Sequence, residues 1–288
     1  MAKKKKRPAS HLVMWILLTA MAVLMLLPII MTFLYSFFPT SEIVAFLDTR
    51  GSYDETKWME IKLSPHVVSL RQYYRILIED GTVLKLFVNS AVYSVAILIG
   101  QAIIIPMMAY ALSRFRFFAR DVIFFTVLIM MLLPFQVTMV PNVLTLKKMN
   151  LMSTPWAVIL PMCFSPFYIF LLRQFMVGLP NELIEAGLID GAGTVRCFLN
   201  VVLPVCRPVL GAAVALSFAD CWNLVEQPLV YLAESPALQP LSVMFNQISE
   251  SGKEIAFAGA GLYILPALFI YLFFQEDILL GIQLSELK

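Results

Sequence analysis

The sequence predicts an all-α integral membrane protein with six transmembrane helices. Hydrophobic residues make up 60% of the 288-residue chain, and charged residues make up only 14%. The mean hydropathy is +0.83, which is typical of a chain in contact with lipid. Six apolar runs each reach about 20 residues, the length that a helix needs to cross a bilayer.

The first predicted helix covers residues 12–38 and follows a basic tail at residues 1–11. This run is longer than the core of a secretory signal, which has about 7–15 residues, and it closes with Phe37, Phe38 and Pro39 instead of a cleavage site. We therefore expect the first helix to be retained.

A polar segment, residues 39–82, follows the first helix and places Trp58, Tyr73 and Tyr74 among charged residues. We expect this extracytoplasmic segment to form a small cap or an interfacial helix. The remainder, residues 83–281, is the predicted membrane core, and residues 282–288 form a short tail. The other five spans are predicted at residues 83–112, 122–146, 156–176, 205–232 and 256–281. Prolines in and beside these runs predict kinks, or they reflect ordinary packing.

Basic residues predict the orientation of the chain. With the lysine-rich head inside, residues 113–120 and 173–207 also lie on the cytoplasmic side, and so does the C-terminal tail. Both termini are therefore expected in the cytoplasm.

Reactive side chains are scarce, so we expect no catalytic residue, metal ion or cofactor. The four cysteines form no C-x-x-C pair, and His11 and His66 are the only histidines. The sequence contains no nucleophile elbow, no H-E-x-x-H and no phosphate-binding loop. A net charge of +2 without a basic face also argues against nucleic-acid binding.

One polar loop, residues 178–204, interrupts the apolar runs and predicts a short helix. Asn181 is a suitable N-cap, acids follow in the first turn, and the helix should end near Asp190. Gly191 and Gly193 then predict a turn before a second amphipathic piece, residues 194–202. Leu183, Ile184 and Leu188 lie on one side of the first helix, which favours docking into a groove of another protein. The alternative, a connector on lipid headgroups, is disfavoured because the helix is acidic.

The spacing in this loop resembles the signature of binding-protein-dependent ABC importer permeases. The matching residues are Glu185-Ala186-Gly187, Gly191, Val201 and Leu203-Pro204, and Asp190-Gly191-Ala192 matches a variant common in the sugar branch. Gly187 replaces the usual alanine, which lowers helix propensity slightly.

Several further stretches resemble the shorter, six-span permease of the maltose-type carbohydrate uptake family. They are Asn89-Ser90, the run from Ala109 to Phe117, Leu133-Pro134 with Gln136 and Pro141, Trp222-Asn223, and Pro228-Leu229. The C-terminal tail differs, because it lacks the Gly-rich basic end that reaches the ATPase in many members.

This resemblance implies a type I ABC importer permease fold with a cytoplasmic coupling helix, in a bacterial cytoplasmic membrane. It implies four kinds of partner: the lipid bilayer, a second homologous permease, two copies of an ATP-binding subunit and an extracytoplasmic substrate-binding protein. The implied cargo is a mono- or oligosaccharide. The residues that would couple to the ATPase are Glu182, Glu185, Ala186, Gly187, Asp190, Gly191 and Ala192.

Polar residues inside spans are costly and are therefore candidates for the substrate path. They are Asn89, Gln101, Gln136, Asp220, Asn223, Glu226 and Gln227. Gln136 beside Phe135, and Asn223 beside Trp222, combine an amide with an aromatic ring and are expected nearest the path. The alternative for each residue is an interhelical hydrogen bond worth about 1 kcal/mol.

Three other functions stay open at this point. Asp220 and Glu226 would suit a proton-coupled secondary transporter, but both lie in one span and no histidine accompanies them. A membrane scaffold explains six spans but not the spaced loop motif. A permease of the same family for a non-sugar solute would carry the same motif.

Overall fold

The computed structural model describes residues 9–51, 62–246 and 255–286, and every regular element within these ranges is a helix. Four stretches are long and apolar enough to cross a membrane: Val13–Tyr35, Gly81–Arg114, Pro155–Val177 and Ala256–Leu279. Two bent helix pairs add two more spans if each pair is counted as one. With each bent pair counted as one span there are six spans, so the prediction of an all-α, six-span membrane protein is confirmed.

The helices are numbered in chain order. They are α1 (Ala9–Tyr35), α2 (Thr40–Gly51), α3 (Arg71–Tyr74), α4 (Gly81–Arg114), α5 (Arg120–Leu132), α6 (Phe135–Lys148), α7 (Pro155–Met162), α8 (Pro166–Val177), α9 (Asn181–Ile189), α10 (Thr194–Cys197), α11 (Leu203–Val205), α12 (Arg207–Trp222), α13 (Glu226–Tyr231), α14 (Leu241–Asn246) and α15 (Ala256–Glu286). Single π-helical turns follow α3 (Arg75–Glu79) and α10 (Phe198–Val202), and a 3₁₀ turn (Pro236–Leu238) precedes α14.

The chain divides into two compact units. The first contains the described residues up to 84 together with 255–264, and the second contains 85–246 together with 265–286.

The first unit is organised around the C-terminal end of α1. The Tyr35 ring makes edge contacts with Phe38 and Phe257 at centroid distances of 4.9 and 5.1 Å. Gln72, which is fully buried, donates to the Tyr35 and Phe38 carbonyls at 2.8 and 3.0 Å. The Tyr35 carbonyl ends α1 and also accepts from the Phe38 N–H at 3.1 Å, so Gln72 ties the end of α1 to the turn that follows it. Helix α2 lies in the predicted extracytoplasmic segment, and Trp58 lies outside the described residues.

The third span is a sharply bent pair, not one kinked helix as predicted. Helices α5 and α6 meet at 111°. Leu133 is extended (φ −74°, ψ 125°), and Pro134 follows it before α6 begins. A residue before proline avoids the α conformation, which explains the break at this point.

The fifth span also differs from its prediction of residues 205–232. Its first part bends by 75° at Cys206, and α12 ends at Trp222, well before residue 232. The helix is interrupted at residues 223–225, and Pro228, which lies inside α13, has no N–H that a continuous helix would donate to the Leu224 carbonyl. The Ser242 hydroxyl instead donates to that carbonyl.

Two apolar clusters form the core of the second unit. One lies beside the polar loop and contains Tyr110, Leu172, Met176, Phe198 and Val202. The other contains Tyr93, Ile97, Val158, Cys221 and Leu232. The first cluster supports the elements that carry the loop motif.

Candidate functional site

The inward side of α9 rests on the apolar core of the second unit. Ile184 packs against the cluster around Met176 and Phe198. A Cβ atom at Gly187 would lie 3.3 Å from the Cys197 sulfur and 3.5 Å from Val201. The missing Cβ therefore lets α9 lie close to α10 and the π-helical turn, which gives Gly187 a packing role that its low helix propensity had not suggested.

The outward side of α9 combines acidic and apolar residues. Glu182, Glu185 and Asp190 are exposed, and so are Leu183, Leu188 and Ile189, the last at 85%. Our prediction placed Leu183 and Leu188 beside Ile184 on one side, but only Ile184 of the three packs inward. Within the described ranges, none of the three carboxylates forms an ion pair or a side-chain hydrogen bond.

The turn after α9 requires glycine at one of the two predicted positions. Gly191 has φ +80°, a left-handed conformation that favours glycine. The Gly191 N–H donates to the Leu188 carbonyl at 3.1 Å, and the Ala192 N–H donates to the Gly187 carbonyl at 3.0 Å. These two bonds form a Schellman motif that ends the helix. Gly193 has φ −65°, so its conformation does not require glycine.

The predicted N-cap role of Asn181 is wrong. Asn181 is the first helical residue, and Pro180 precedes it. The Asn181 side-chain oxygen accepts a hydrogen bond from Nη1 of Arg114 at 2.6 Å. Nη2 of Arg114 also donates to the carbonyls of Met176 and Leu179, at 2.6 and 2.7 Å. Arg114 was not predicted as a site residue, because the second span was predicted to end at residue 112, whereas the structure places Arg114 in the last turn of α4.

A second group of polar residues, which we call the polar face, consists of Gln136, Asp220, Asn223 and Glu226. All four are exposed. The Tyr168 hydroxyl donates to the Asp220 carboxylate at 2.6 Å, and the Gln136 amide donates to Glu226 at 3.4 Å. The Asn223 amide donates to the Ala219 carbonyl at 2.9 Å. Exposed polar groups within apolar spans are typical of surfaces that meet water or a solute.

Other predicted path residues are used for packing. The Asn89 amide donates to the carbonyls of Ala237 and Gln239, both at 3.0 Å. Gln101 is buried, donates to the Met162 carbonyl at 2.7 Å and accepts from Ser217. Gln101 thus forms the interhelical bonds that were the alternative explanation, whereas Asn89 joins α4 to the 3₁₀ turn and to the residue after it.

The two aromatic residues predicted near the substrate path, Phe135 and Trp222, pack among apolar side chains. Trp222 is only 2% exposed, and it lies between Phe218, which stacks on it at 5.5 Å, and Phe87. Phe135 is half-buried and packs against the second apolar cluster. In this structure neither ring lies open on the polar face.

Comparison with known proteins decides the family. Residues 102–278, which include the loop motif and the polar face, match the family described as "Binding-protein-dependent transport system inner membrane component". The chain belongs to this family. It is therefore a multi-pass inner membrane component of a binding-protein-dependent transport system.

Relatives of this inner membrane component align over most of its length. The arabinooligosaccharides transport system permease protein AraQ of Halalkalibacterium halodurans is 28% identical over 98% of this chain and 99% of its own. The AraQ protein of Bacillus subtilis is 27% identical over 93% and 92%. The sn-glycerol-3-phosphate transport system permease protein UgpE of Yersinia pestis is 30% identical over 70% and 73%.

A solved structure has the same fold. It is a bacterial ABC transporter involved in the import of the acidic polysaccharide alginate, and its chain aligns with a TM-score of 0.79 at 22% identity. The alignment covers 96% of this inner membrane component and 99% of that chain. The type I importer permease fold expected from the sequence is thus confirmed.

The family match and the named relatives identify this chain as a transport subunit. Within the described ranges, no group of three or more His, Cys, Asp or Glu side chains could hold a metal ion. The family consists of permease subunits, which work in importers together with a partner permease, an ATPase and a substrate-binding protein.

Proposed function

We propose that this permease imports a carbohydrate and that α9 is the coupling helix that docks into a separate ATP-hydrolysing subunit. The observation that carries this proposal is the outward side of α9, where three carboxylates that form no ion pair with any described residue stand beside exposed Leu183, Leu188 and Ile189. Charged groups around an apolar centre are typical of a protein interface.

Helix α9 has nine residues and is about 13 Å long, a length that suits a cleft in another protein. The Schellman turn at Gly191 fixes its end, and Ile184 fixes its inward side. Glu185 would pair with a basic residue of the ATPase. The remaining coupling residues are Glu182, Ala186, Gly187, Asp190 and Ala192.

The proposed complex contains this chain, a second homologous permease, two copies of the ATP-binding subunit and an extracytoplasmic substrate-binding protein. Residues 83–281 would act as the permease core, and both termini would lie in the cytoplasm. Closure of the two ATPase copies would move the coupling helices together and open the permeases outward, which is an alternating-access change.

We propose a neutral sugar as the cargo. The relatives are named for arabinooligosaccharides and for sn-glycerol-3-phosphate, of which only the second is a phosphate ester. The polar face carries two carboxylates, Asp220 and Glu226, and no basic residue, which disfavours an anion. Hydroxyl groups would find acceptors in these acids and in the amides of Gln136 and Asn223.

Uptake by proteoliposomes that contain the complete transporter tests this function. We expect uptake of a neutral oligosaccharide that requires ATP and the binding protein and that survives collapse of the proton gradient. Uptake that stops when the gradient collapses would instead identify a proton-coupled transporter. Uptake of sn-glycerol-3-phosphate in preference to the oligosaccharide would overturn the choice of cargo.

A further inference from the structure

One arginine connects three elements at the base of the candidate coupling helix. Arg114 lies in the last turn of α4, and its guanidinium reaches the end of α8 at Met176, the connecting loop at Leu179 and the start of α9 at Asn181. The three donor–acceptor distances lie between 2.6 and 2.7 Å. A single side chain thus joins a long span to both sides of the three-residue connection before α9.

The chemistry of these bonds favours arginine over lysine. The Met176 carbonyl belongs to the last turn of α8, where carbonyls have no partner within the helix. Nη1 and Nη2 of a guanidinium are held in one plane, so they can serve the Asn181 oxygen and two carbonyls at once in a fixed geometry. A lysine ammonium at the same place is a flexible point charge and would not fix the three groups relative to one another.

Helix α4 also contacts the chain on the far side of α9. The Tyr110 ring lies 4.8 Å from the ring of Phe198, in the π-helical turn that follows α10. The Ser113 hydroxyl lies 3.9 Å from the Met176 sulfur. The last turns of α4 therefore contact the chain both before and after α9.

The other half of α4 is attached to a different loop. Asn89 donates to the carbonyls of Ala237 and Gln239, and the Tyr93 hydroxyl donates to the Leu238 carbonyl at 2.6 Å. Helix α4 has 34 residues and is about 51 Å long. It therefore connects the base of α9 to the loop between α13 and α14 on the other side of the predicted membrane.

We propose that Arg114 is the positioning residue that passes the movement of α9 into α4. This inference rests on the proposed coupling function of α9. A displaced α9 carries Asn181 and Leu179 with it, and the guanidinium transfers that displacement to the span. Without these hydrogen bonds, the ATPase would still bind and hydrolyse ATP, but the permease helices would not move with α9.

The test compares Arg114→Lys with Arg116→Lys in the complete transporter in proteoliposomes. Arg116 is exposed, two residues away, and within the described ranges it forms no hydrogen bond or ion pair. We measure sugar transported per ATP hydrolysed. We expect this ratio to fall about tenfold or more in Arg114→Lys, because three hydrogen bonds to a charged group are disturbed, and to change less than about twofold in Arg116→Lys. A ratio within about twofold of the unmodified transporter for Arg114→Lys overturns the inference.

A second variant separates coupling from simple loss of structure. Asn181→Ala leaves Arg114 its two carbonyl acceptors, and Asn181 is exposed, so we expect normal assembly and a smaller fall in the ratio. In the double variant with Arg114→Lys, the Asn181 substitution should add nothing, because the two residues act through one bond. Independent, additive effects would overturn the inference. If Arg114→Lys does not reach the membrane, Asn181→Ala alone carries the test, and an unchanged ratio in that variant overturns the inference.

Failure of the underlying function gives a different result. If the unmodified chain never co-purifies with an ATP-hydrolysing subunit, α9 is not a coupling helix, and the proposed role of Arg114 is wrong as well. If the unmodified transporter couples normally and Arg114→Lys does so equally well, only the inference about Arg114 fails.

Discussion

The coupling helix α9 and the polar face both expose charged side chains, yet they hold them differently. On α9 the carboxylates of Glu182, Glu185 and Asp190 form no ion pair within the described ranges, while the helix beneath them is fixed by Ile184 and the Gly191 turn. On the polar face, Asp220 and Glu226 already accept hydrogen bonds from Tyr168 and Gln136. A rigid base whose charges form no ion pair with the described residues suits a permanent protein partner, whereas charges that already have internal hydrogen-bond partners suit a passing solute.

This comparison predicts that changes at α9 act on coupling and have large effects. Changes on the polar face should act on the cargo and have smaller effects. The variants below separate the two regions, and they run from the largest expected effect to the smallest.

The largest effect is expected from Gly191→Val. Its φ of +80° is costly for a β-branched residue, so the Schellman turn should rearrange and α9 should lose its orientation. We expect ATP-driven uptake to be abolished. Gly193→Val is the matched control, because φ is −65° there and no atom lies within 4 Å of an added Cβ. Equal losses of uptake in both variants would show that the loss does not come from the left-handed conformation at residue 191.

Glu185→Lys should lower uptake by about tenfold or more, because a reversed charge meets the basic residue expected on the ATPase. The amount of ATPase that co-purifies with the permease should fall in parallel, and the loss should lessen as ionic strength rises. Glu234→Lys, at an exposed position after α13, serves as the control. Full co-purification of the ATPase with Glu185→Lys would contradict the account.

Asp220→Asn should have an intermediate effect. It converts a charge-assisted bond from Tyr168 into a weaker neutral one, so we expect uptake to fall by roughly three- to tenfold. ATPase co-purification should stay unchanged, which distinguishes this variant from Glu185→Lys. Tyr168→Phe removes the same bond but keeps the charge of Asp220, and it should retain more uptake. A loss of ATPase binding in Asp220→Asn would remove the distinction between the two regions.

The smallest effect is expected from Gly187→Ala. Alanine raises helix propensity by about 0.8–1 kcal/mol, while its Cβ would crowd the Cys197 sulfur at 3.3 Å. Because these effects oppose each other, uptake should stay within about twofold of normal. In a Cys197→Ala background the crowding is relieved, so Gly187→Ala should then raise the thermal midpoint. A lower midpoint in that background would show that the close approach of α9 depends on more than this sulfur.

The sequence predicted the elements that depend on local composition and spacing. The positions of α1, α4 and α15 followed from long apolar runs, and the turn at Gly191 followed from the loop pattern. The breaks at Pro134 and at residues 223–225 were harder to place. A proline in an apolar run is compatible with a kink or a full break, and the neighbouring helices decide which one forms.

Contacts between distant parts of the chain were not visible in the sequence. The bond from Arg114 to Asn181 joins residues 67 positions apart, and it replaced the local N-cap that we had predicted for Asn181. Burial of Trp222 between Phe87 and Phe218 likewise depends on how α4 and α12 pack. Sequence reasoning identified the polar residues of the spans, but only the structure separated the buried Gln101 from the exposed Gln136, Asp220 and Asn223.

Site-specific crosslinking from Ala186 tests the central claim most directly. Ala186 is exposed, and all four native cysteines are buried, so Ala186→Cys introduces the one accessible thiol on α9. We predict that a thiol-reactive crosslinker at this position captures the ATP-hydrolysing subunit, while Met149→Cys, exposed after α6, does not. Crosslinks from Ala186→Cys that never contain this subunit would contradict the account.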